Sequence, residues 1–125
     1  MSSELQIQVS KAEGNAAVTV FKLAGEVTSD NYEQLQSKAQ AEYDGGMRNL
    51  LLDFSGLSFM SSAGLRSVHA IYKMLLEEGE TEGKYKSKNL KLLNVPEKIM
   101  KLIRVTGFHE YMDIFDNYQK AVSSF

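Results

Sequence analysis

The most informative stretch of this 125-residue chain runs from a strand pattern into a helix pattern, over residues 53–66. It reads Asp53-Phe54-Ser55-Gly56-Leu57-Ser58-Phe59-Met60-Ser61-Ser62-Ala63-Gly64-Leu65-Arg66. Residues 49–54 form a short, almost continuous apolar run, which is typical of a central strand covered on both faces. We predict that this strand emerges into a loop, and that Ser61 and Ser62 then stand at the start of a helix.

Downstream of the two serines, apolar residues recur at the spacing of one helix face. The stripe consists of Leu65, Val68, Ile71, Tyr72, Leu75 and Leu76. The pattern predicts a helix over residues 64–78 that stops at Gly79. Residues 80–88 are polar and contain glycine, which indicates an exposed loop.

On either side of this region, strand and helix patterns alternate. Residues 5–9 and 17–23 alternate apolar and polar side chains around a turn at residues 13–15, which predicts a β-hairpin. The other predicted elements are a helix after Thr28, Ser29 and Asp30 that stops at residues 44–46, a strand over 90–95, a helix that starts at Pro96 and ends at Thr106-Gly107, a strand over 112–115 and a helix over 117–122. This alternation indicates an α/β fold, with helices packed against a mixed sheet, in a single domain over residues 1–125.

The composition excludes several classes of protein. The chain has no cysteine, which excludes disulfide scaffolds, thiolate metal sites and cysteine nucleophiles. Its formal net charge of -2 gives no strong attraction to nucleic acid or to an anionic membrane. No apolar run reaches the roughly 18 residues of a membrane span, and the N-terminus lacks the pattern of a signal peptide. We therefore expect a cytoplasmic protein that neither binds nucleic acid directly nor inserts into a membrane.

The sequence contains no motif for catalysis, for a metal or for a cofactor. His69 and His109 are isolated, and His69 falls in the helical stripe, where packing is the usual role. Residues 79–85 resemble a phosphate-binding loop only superficially, because three residues rather than four separate the glycines and Tyr85 follows the lysine. We therefore predict a binding protein without a cofactor or a metal site, and not an enzyme.

The two serines at the predicted helix start allow two interpretations. A serine in this position caps a helix by accepting a hydrogen bond from a free backbone N–H. A phosphate on such a serine would gain about 0.3–1 kcal/mol from the helix dipole and would add nearly two negative charges to the surface. The residues alone leave both interpretations open: a structural cap, and a switch that changes the binding face while the core stays the same.

The same stretch resembles the signature of the STAS domain, the fold shared by anti-sigma factor antagonists and the cytoplasmic tails of sulfate transporters. Family members show an apolar pair followed by Asp-Ser-Ser-Gly-Leu or a close variant, and residues 59–65 here read Phe-Met-Ser-Ser-Ala-Gly-Leu. Residues 23–27 resemble the family's Gly-Glu motif at the end of the second strand. Residues 90–95 resemble its penultimate strand, and residues 106–108 its Thr/Ser-Gly-Leu motif. The resemblance runs in order along nearly the whole chain.

The resemblance implies a phosphorylation switch that governs protein binding. The family's phosphorylated residue falls on Ser62, with Ser61 as the fallback. The kinase of the family is the anti-sigma factor itself, a serine kinase. The unmodified antagonist binds this kinase and frees the sigma factor, and a metal-dependent serine phosphatase restores the unmodified form. The predicted partner-contact residues are Glu26, Thr28, Ser29, Asp30, Met60, Ser61, Gly64 and Arg66.

Four residues of this region have more specific expected roles. Met60 would either offer adaptable apolar contact or be buried in the core, and the sequence leaves both open. Gly64 would permit the backbone of a partner to approach closely. Arg66 would meet an acidic partner or the added phosphate. Leu65 is expected to pack inward.

A second function stays open. Ser61 replaces the signature aspartate of the family, Ala63 replaces a hydroxyl residue, and Thr28 replaces an aspartate often found after Gly-Glu. These differences favour a constitutive STAS interaction subunit of a signalling or lipid-transport assembly that is not phosphorylated, whereas the retained Ser62 favours the switch. The predicted loop over residues 80–88 is longer than usual in the family, which would suit a different partner.

Overall fold

The computed structural model describes residues 4–77, 80 and 86–125. That part of the chain contains five strands and four helices. The strands are β1 (Leu5–Glu13), β2 (Ala17–Val27), β3 (Leu50–Met60), β4 (Leu90–Leu93) and β5 (Ile114–Phe115). The helices are α1 (Tyr32–Asp44), α2 (Ser62–Met74), α3 (Glu97–Thr106) and α4 (Tyr118–Ser123), and a single 3₁₀ turn covers Phe108–Glu110.

The strands form one mixed sheet in the order β1-β2-β3-β4-β5. β1 and β2 pair antiparallel, as the predicted hairpin requires, and each later strand pairs parallel with its neighbour. Because crossovers between parallel strands are right-handed, α1, α2 and α3 all lie on one face of the sheet. The predicted α/β architecture is therefore confirmed.

The apolar core has two parts, one on each face of the sheet. On the face covered by α1, α2 and α3, strand residues such as Phe21 and Phe54 are fully buried in one cluster with Tyr72 of α2. A second cluster joins α4 to the opposite face. It consists of Val18, Val20, Leu51, Leu93, Ala121 and Val122. The start of β3 contributes to both clusters, which explains its nearly continuous apolar run.

The two central strands are longer than predicted. β2 continues to Val27, beyond the alternating run over residues 17–23, and β3 continues to Met60 through residues that were expected to form a loop. In this extension, Leu57 and Met60 are buried and the residues between them are exposed. A spacing of three between buried residues is not the period of a regular strand, so the pattern could not predict one.

Two irregularities in β3 explain this spacing. The pairing of β2 with β3 shifts between Lys22/Ala24 and again between Gly25/Glu26, each time because β3 contains an additional residue. Such bulges change which side chain faces the core. Gly56 lies within this stretch, where a Cβ atom would come within 2.9 Å of the Leu23 carbonyl oxygen.

Several other boundaries also differ from the prediction. α2 ends at Met74, four residues before the predicted end of that helix. β4 ends at Leu93, and Asn94 follows with a φ of 54°, a left-handed conformation that asparagine tolerates better than most residues. The predicted stop at Gly79 lies outside the described residues, as does most of the predicted loop over residues 80–88.

Lys91 of β4 is a buried cation on the face covered by α4. Only 5% of its surface is exposed. Its Nζ donates a hydrogen bond to the Ser124 carbonyl oxygen at 2.9 Å and lies 4.9 Å from the centre of the Phe125 ring. Burial lowers the pKa of Lys91 below its usual value of 10.5, and the nearby Asp113 partly opposes this effect.

We predict that Lys91→Met changes how stability depends on pH. Between the lowered folded pKa of Lys91 and its unfolded pKa, the folded state binds fewer protons than the unfolded state, so folding gains stability as pH rises through that window. The unfolding free energy of the wild type should therefore rise relative to that of the variant between neutral pH and about pH 10. Urea unfolding of both proteins at the two pH values measures this, and a constant difference would contradict it.

Candidate functional site

β2 and β3 end side by side at one edge of the sheet, and α2 begins there. The backbone N–H of Ser61 donates a hydrogen bond to the Val27 carbonyl oxygen at 2.9 Å, which ties the start of α2 to the end of β2. We call residues 26–30 and 59–66 the Ser62 edge. Every partner-contact residue predicted from the sequence belongs to these two segments, and the structure brings the segments together.

Ser61 caps α2. Its backbone is extended, with φ -82° and ψ 173°, and its side-chain oxygen accepts a hydrogen bond from the Gly64 backbone N–H at 3.2 Å. The residue is half-buried. The capping interpretation is therefore confirmed for Ser61, and its hydroxyl oxygen already has a structural role.

Ser62 is the first residue of α2, and its side chain is exposed. Its hydroxyl makes no hydrogen bond within the described part of the chain. The first turn of a helix carries unpaired N–H groups and a partial positive charge, which favour an added negative group. Of the two candidate serines, Ser62 is thus the one that is exposed and is not used as the helix cap.

Met60 and Gly64 are buried, so the structure does not place them on the exposed contact surface expected from the sequence. Met60 is only 4% exposed. A Cβ atom on Gly64 would come within 2.8 Å of both Met60 Cγ and Val27 Cγ1. The glycine is therefore required by packing inside the protein, where α2 crosses the ends of β2 and β3, and not by the approach of a partner. Leu65 packs inward as predicted, with 3% of its surface exposed.

The segment between β2 and α1 is held by Asn31, a residue that the sequence analysis did not select. The Asn31 side chain accepts a hydrogen bond from the Thr28 N–H at 2.8 Å and donates one to the Glu26 carbonyl oxygen at 3.0 Å. Thr28 Oγ1 in turn accepts from the Asp30 N–H at 3.2 Å. Asparagine side chains commonly bond to backbone groups of nearby residues, and this tendency was the only signal available in the sequence.

This turn determines which of the predicted contact residues face solvent. Ser29 and Asp30 are exposed, whereas Glu26 and Thr28 are half-buried. α1 begins only at Tyr32, with Asn31 in the capping position rather than the residues predicted for it. The hydrogen bonds give this part of the Ser62 edge a defined shape.

Arg66 is exposed one helical turn after Ser62. Residues four apart on a helix lie on the same side, so the guanidinium group can reach a group attached to Ser62. No acidic side chain in the described ranges forms an ion pair with Arg66. The predicted exposure of Arg66 is confirmed, and its charge is available to a partner or to a phosphate.

The two histidines lie in different surroundings. His69 packs among aromatic rings, with ring centres 5.7 Å from Tyr72, 5.0 Å from Phe108 and 6.1 Å from Tyr111. The packing role predicted for His69 is confirmed. His109 is exposed. Among residues 4–77, 80 and 86–125, no group of three or more histidine or acidic side chains is placed to hold a metal ion.

The signature that resembles the STAS domain spans the end of β3 and the capped start of α2, with the exposed Ser62 at their junction. The STAS domain model matches residues 9–121, so the chain belongs to the STAS domain family. Within the part of the chain that the structure describes, no helix is long and apolar enough to cross a membrane.

Several relatives of this chain are named for one role. BtrV of Bordetella bronchiseptica, provisionally assigned as an anti-sigma factor antagonist, is 31% identical over 104 residues, which cover 82% of each protein. The structure of an anti-sigma factor antagonist from Mycobacterium paratuberculosis is similar with a TM-score of 0.81, at 18% identity, covering 99% of this chain and 96% of the other.

The Bacillus protein SpoIIAA has the same fold. The structure of this anti-sigma factor antagonist in its unphosphorylated form gives a TM-score of 0.72 at 21% identity, covering 94% of this chain and 93% of SpoIIAA. The likeness extends over almost the whole of both chains. It shows that the mixed sheet and its helices form a SpoIIAA-like STAS fold.

We predict that the two adjacent serines differ in their effect on stability. Ser61→Ala removes the cap of α2 and should lower the unfolding free energy by about 0.5–2 kcal/mol. Ser62→Ala removes an exposed hydroxyl and should change it by less than about 0.5 kcal/mol. Urea unfolding of the wild type and of both variants measures the difference. Equal losses in the two variants would contradict the assignment of Ser61 as the cap.

Proposed function

We propose that this protein is an anti-sigma factor antagonist whose binding to its partner is switched by phosphorylation of Ser62. In its unmodified form it binds and sequesters an anti-sigma factor that is a serine kinase, and thereby frees a sigma factor. The observation that carries this proposal is the exposed Ser62 hydroxyl at the start of α2, in a chain of the STAS family. The protein acts in the cytoplasm as a binding protein, and the chemistry belongs to its partners.

The named relatives support this role. BtrV and the Mycobacterium paratuberculosis protein are described as anti-sigma factor antagonists. SpoIIAA has been solved in an unphosphorylated and in a phosphorylated form, and this chain is similar to both, with TM-scores of 0.72 and 0.67. SpoIIAA therefore has this fold both with and without phosphorylation.

The proposed modification is a simple phosphoryl transfer. Ser62 Oγ attacks the γ-phosphorus of ATP, the bond to the bridging oxygen breaks, and ADP leaves while the hydroxyl proton passes to a base of the kinase. A serine phosphatase reverses the modification by directing water onto the phosphorus, which releases inorganic phosphate and restores the hydroxyl.

The position of Ser62 explains how a phosphate can alter binding without unfolding the protein. The phosphate would lie in the favourable field of the α2 N-terminus, worth about 0.3–1 kcal/mol, and one turn from the Arg66 guanidinium. It would also bring nearly two negative charges to the Ser62 edge, where Glu26 and Asp30 already stand. A partner that docks closely on the unmodified surface would meet this charge and its bulk, so its affinity would fall.

Ser62 is preferred to Ser61 as the acceptor because of their different surroundings. The Ser61 oxygen accepts the capping hydrogen bond, and its side chain is half-buried. A phosphate on Ser61 would remove the cap. It would also need space that neighbouring residues of the protein occupy, because Ser61 is half-buried. The remaining contact surface is formed by Glu26, Thr28, Ser29, Asp30 and Arg66, with Ser61 at its border.

A constitutive interaction module is the second candidate. Its support is that Ser61 and Ala63 stand where the family signature has an aspartate and a hydroxyl residue. Such a module, in a signalling or lipid-transport assembly, would use the same surface without a phosphate. The two candidates differ in one physical respect: only the switch requires that negative charge at position 62 weakens partner binding.

We predict that the serine kinase encoded nearest to this gene, supplied with ATP, phosphorylates the protein at Ser62. Mass spectrometry of the product should place one phosphate on the peptide containing Ser62. The label should be lost in Ser62→Ala and kept in Ser37→Ala, which removes an exposed serine of α1 outside the Ser62 edge. Label that persists in Ser62→Ala would remove Ser62 from the role. If that remaining label maps to Ser61 and is lost when Ser61 is also replaced by alanine, Ser61 is the acceptor, as the fallback assignment states.

A further inference from the structure

Phe59 is a large apolar side chain that the fold leaves in water. It is 48% exposed, and in the described part of the chain only Val105 and Tyr118 are comparable large hydrophobics on the surface. Its neighbours Leu57 and Met60 are almost completely buried. The apolar pair at positions 59 and 60 is therefore split, with one member in the core and the other directed outward.

The bulges of β3 cause this outward direction. Because of the shift between Gly25/Glu26, Phe59 is paired with Glu26, and Met60 with Val27. Met60 and Val27 both lie beside Gly64 of α2, so the alternation of side chains along a strand directs Phe59 and Glu26 to the opposite face of the sheet. On that opposite face, α4 covers only the part of the sheet that contains Val18, Val20, Leu51 and Leu93. Phe59 lies beyond this covered part, where the two strands end.

Isolated exposed hydrophobic residues are common and need no explanation by themselves. The position of Phe59 is what gives it significance. It stands three residues before Ser62, and its strand partner is Glu26, a residue of the predicted contact surface. A protein that covers both Ser62 and Glu26 must therefore cover the space next to Phe59 as well.

We propose that Phe59 is the aromatic anchor of the partner-binding surface, and that it inserts into an apolar pocket of the anti-sigma factor kinase. This inference rests on the proposed function and names the residue that supplies its affinity. Aromatic residues are enriched in the core of protein interfaces, where a few well-buried anchors supply most of the binding energy, and polar residues form the rim around them. Here Glu26 and Arg66 form the rim, and Ser62 lies at its border.

This arrangement separates affinity from switching. Phe59 supplies binding in the unmodified state, and a phosphate on Ser62 prevents the partner from closing over the anchor. Phe59 lies on the face of the sheet opposite α2, whereas Ser62 begins the helix itself. The partner must then contact both faces of the sheet where β2 and β3 end. The set of residues that it protects can be measured.

The test is the affinity of three proteins for the kinase named above in the presence of ADP and Mg²⁺, measured by isothermal titration calorimetry. Phe59→Ala should bind at least about tenfold more weakly than the wild type. Tyr118→Ala is the matched control, because Tyr118 is 45% exposed but belongs to α4, and its affinity should stay within about twofold of the wild type. Circular dichroism melting of each variant checks its folding.

A second measurement uses only the wild type, so it tests the role of Phe59 even if Phe59→Ala is unstable. Amide hydrogen exchange of the wild-type complex should show protection over residues 57–60 as well as over the start of α2. Binding of Phe59→Ala within twofold of the wild type, or the absence of protection over residues 57–60, would overturn the role of Phe59 and leave the proposed function intact. If the wild type does not bind the kinase at all, both proposals fail together.

Discussion

The junction between β3 and α2 is the constraint on which the rest of the structure depends. Here the chain leaves the sheet and turns into a helix within a single residue, Ser61. Its N–H is bonded to the end of β2, and its oxygen caps the helix. Gly64 then lets α2 lie directly on Val27 and Met60. These contacts determine how α2 crosses the sheet. The side chain of the next residue, Ser62, is exposed to solvent.

This junction places the Ser62 hydroxyl on the surface, outside the packed core. The residues under the junction are packed too closely to accept even one additional carbon atom, whereas Ser62 and Arg66 are exposed. A modification at Ser62 can therefore change the charge of the Ser62 edge without a change in packing. Binding proteins that act as switches need this separation, because the partner must be able to read the modification while the fold persists.

The sequence predicted the order of the elements, the hairpin, the buried start of β3 and the apolar stripe of α2, because these rest on local periodicity. It also predicted the inward direction of Leu65, and it offered a serine cap at the start of α2 as one interpretation, without choosing between Ser61 and Ser62. It did not predict that β3 continues to Met60, because bulges shift its buried residues from a spacing of two to a spacing of three. The same bulges leave Phe59 exposed and Met60 buried. Gly64 was misinterpreted because its close contacts come from Val27, which is remote in sequence, and Asn31 was missed because turns of this kind have many sequence solutions.

The central claim is that a phosphate on Ser62 changes what binds to the protein and not how the protein is folded. The most direct test compares the kinase affinity and the urea unfolding free energy of the unmodified protein with those of the protein phosphorylated at Ser62. We expect the affinity to fall by at least about tenfold, while the unfolding free energy changes by no more than about 1 kcal/mol. An unchanged affinity would contradict the account and favour the constitutive module, and a large loss of stability would show that the phosphate acts by disrupting the fold.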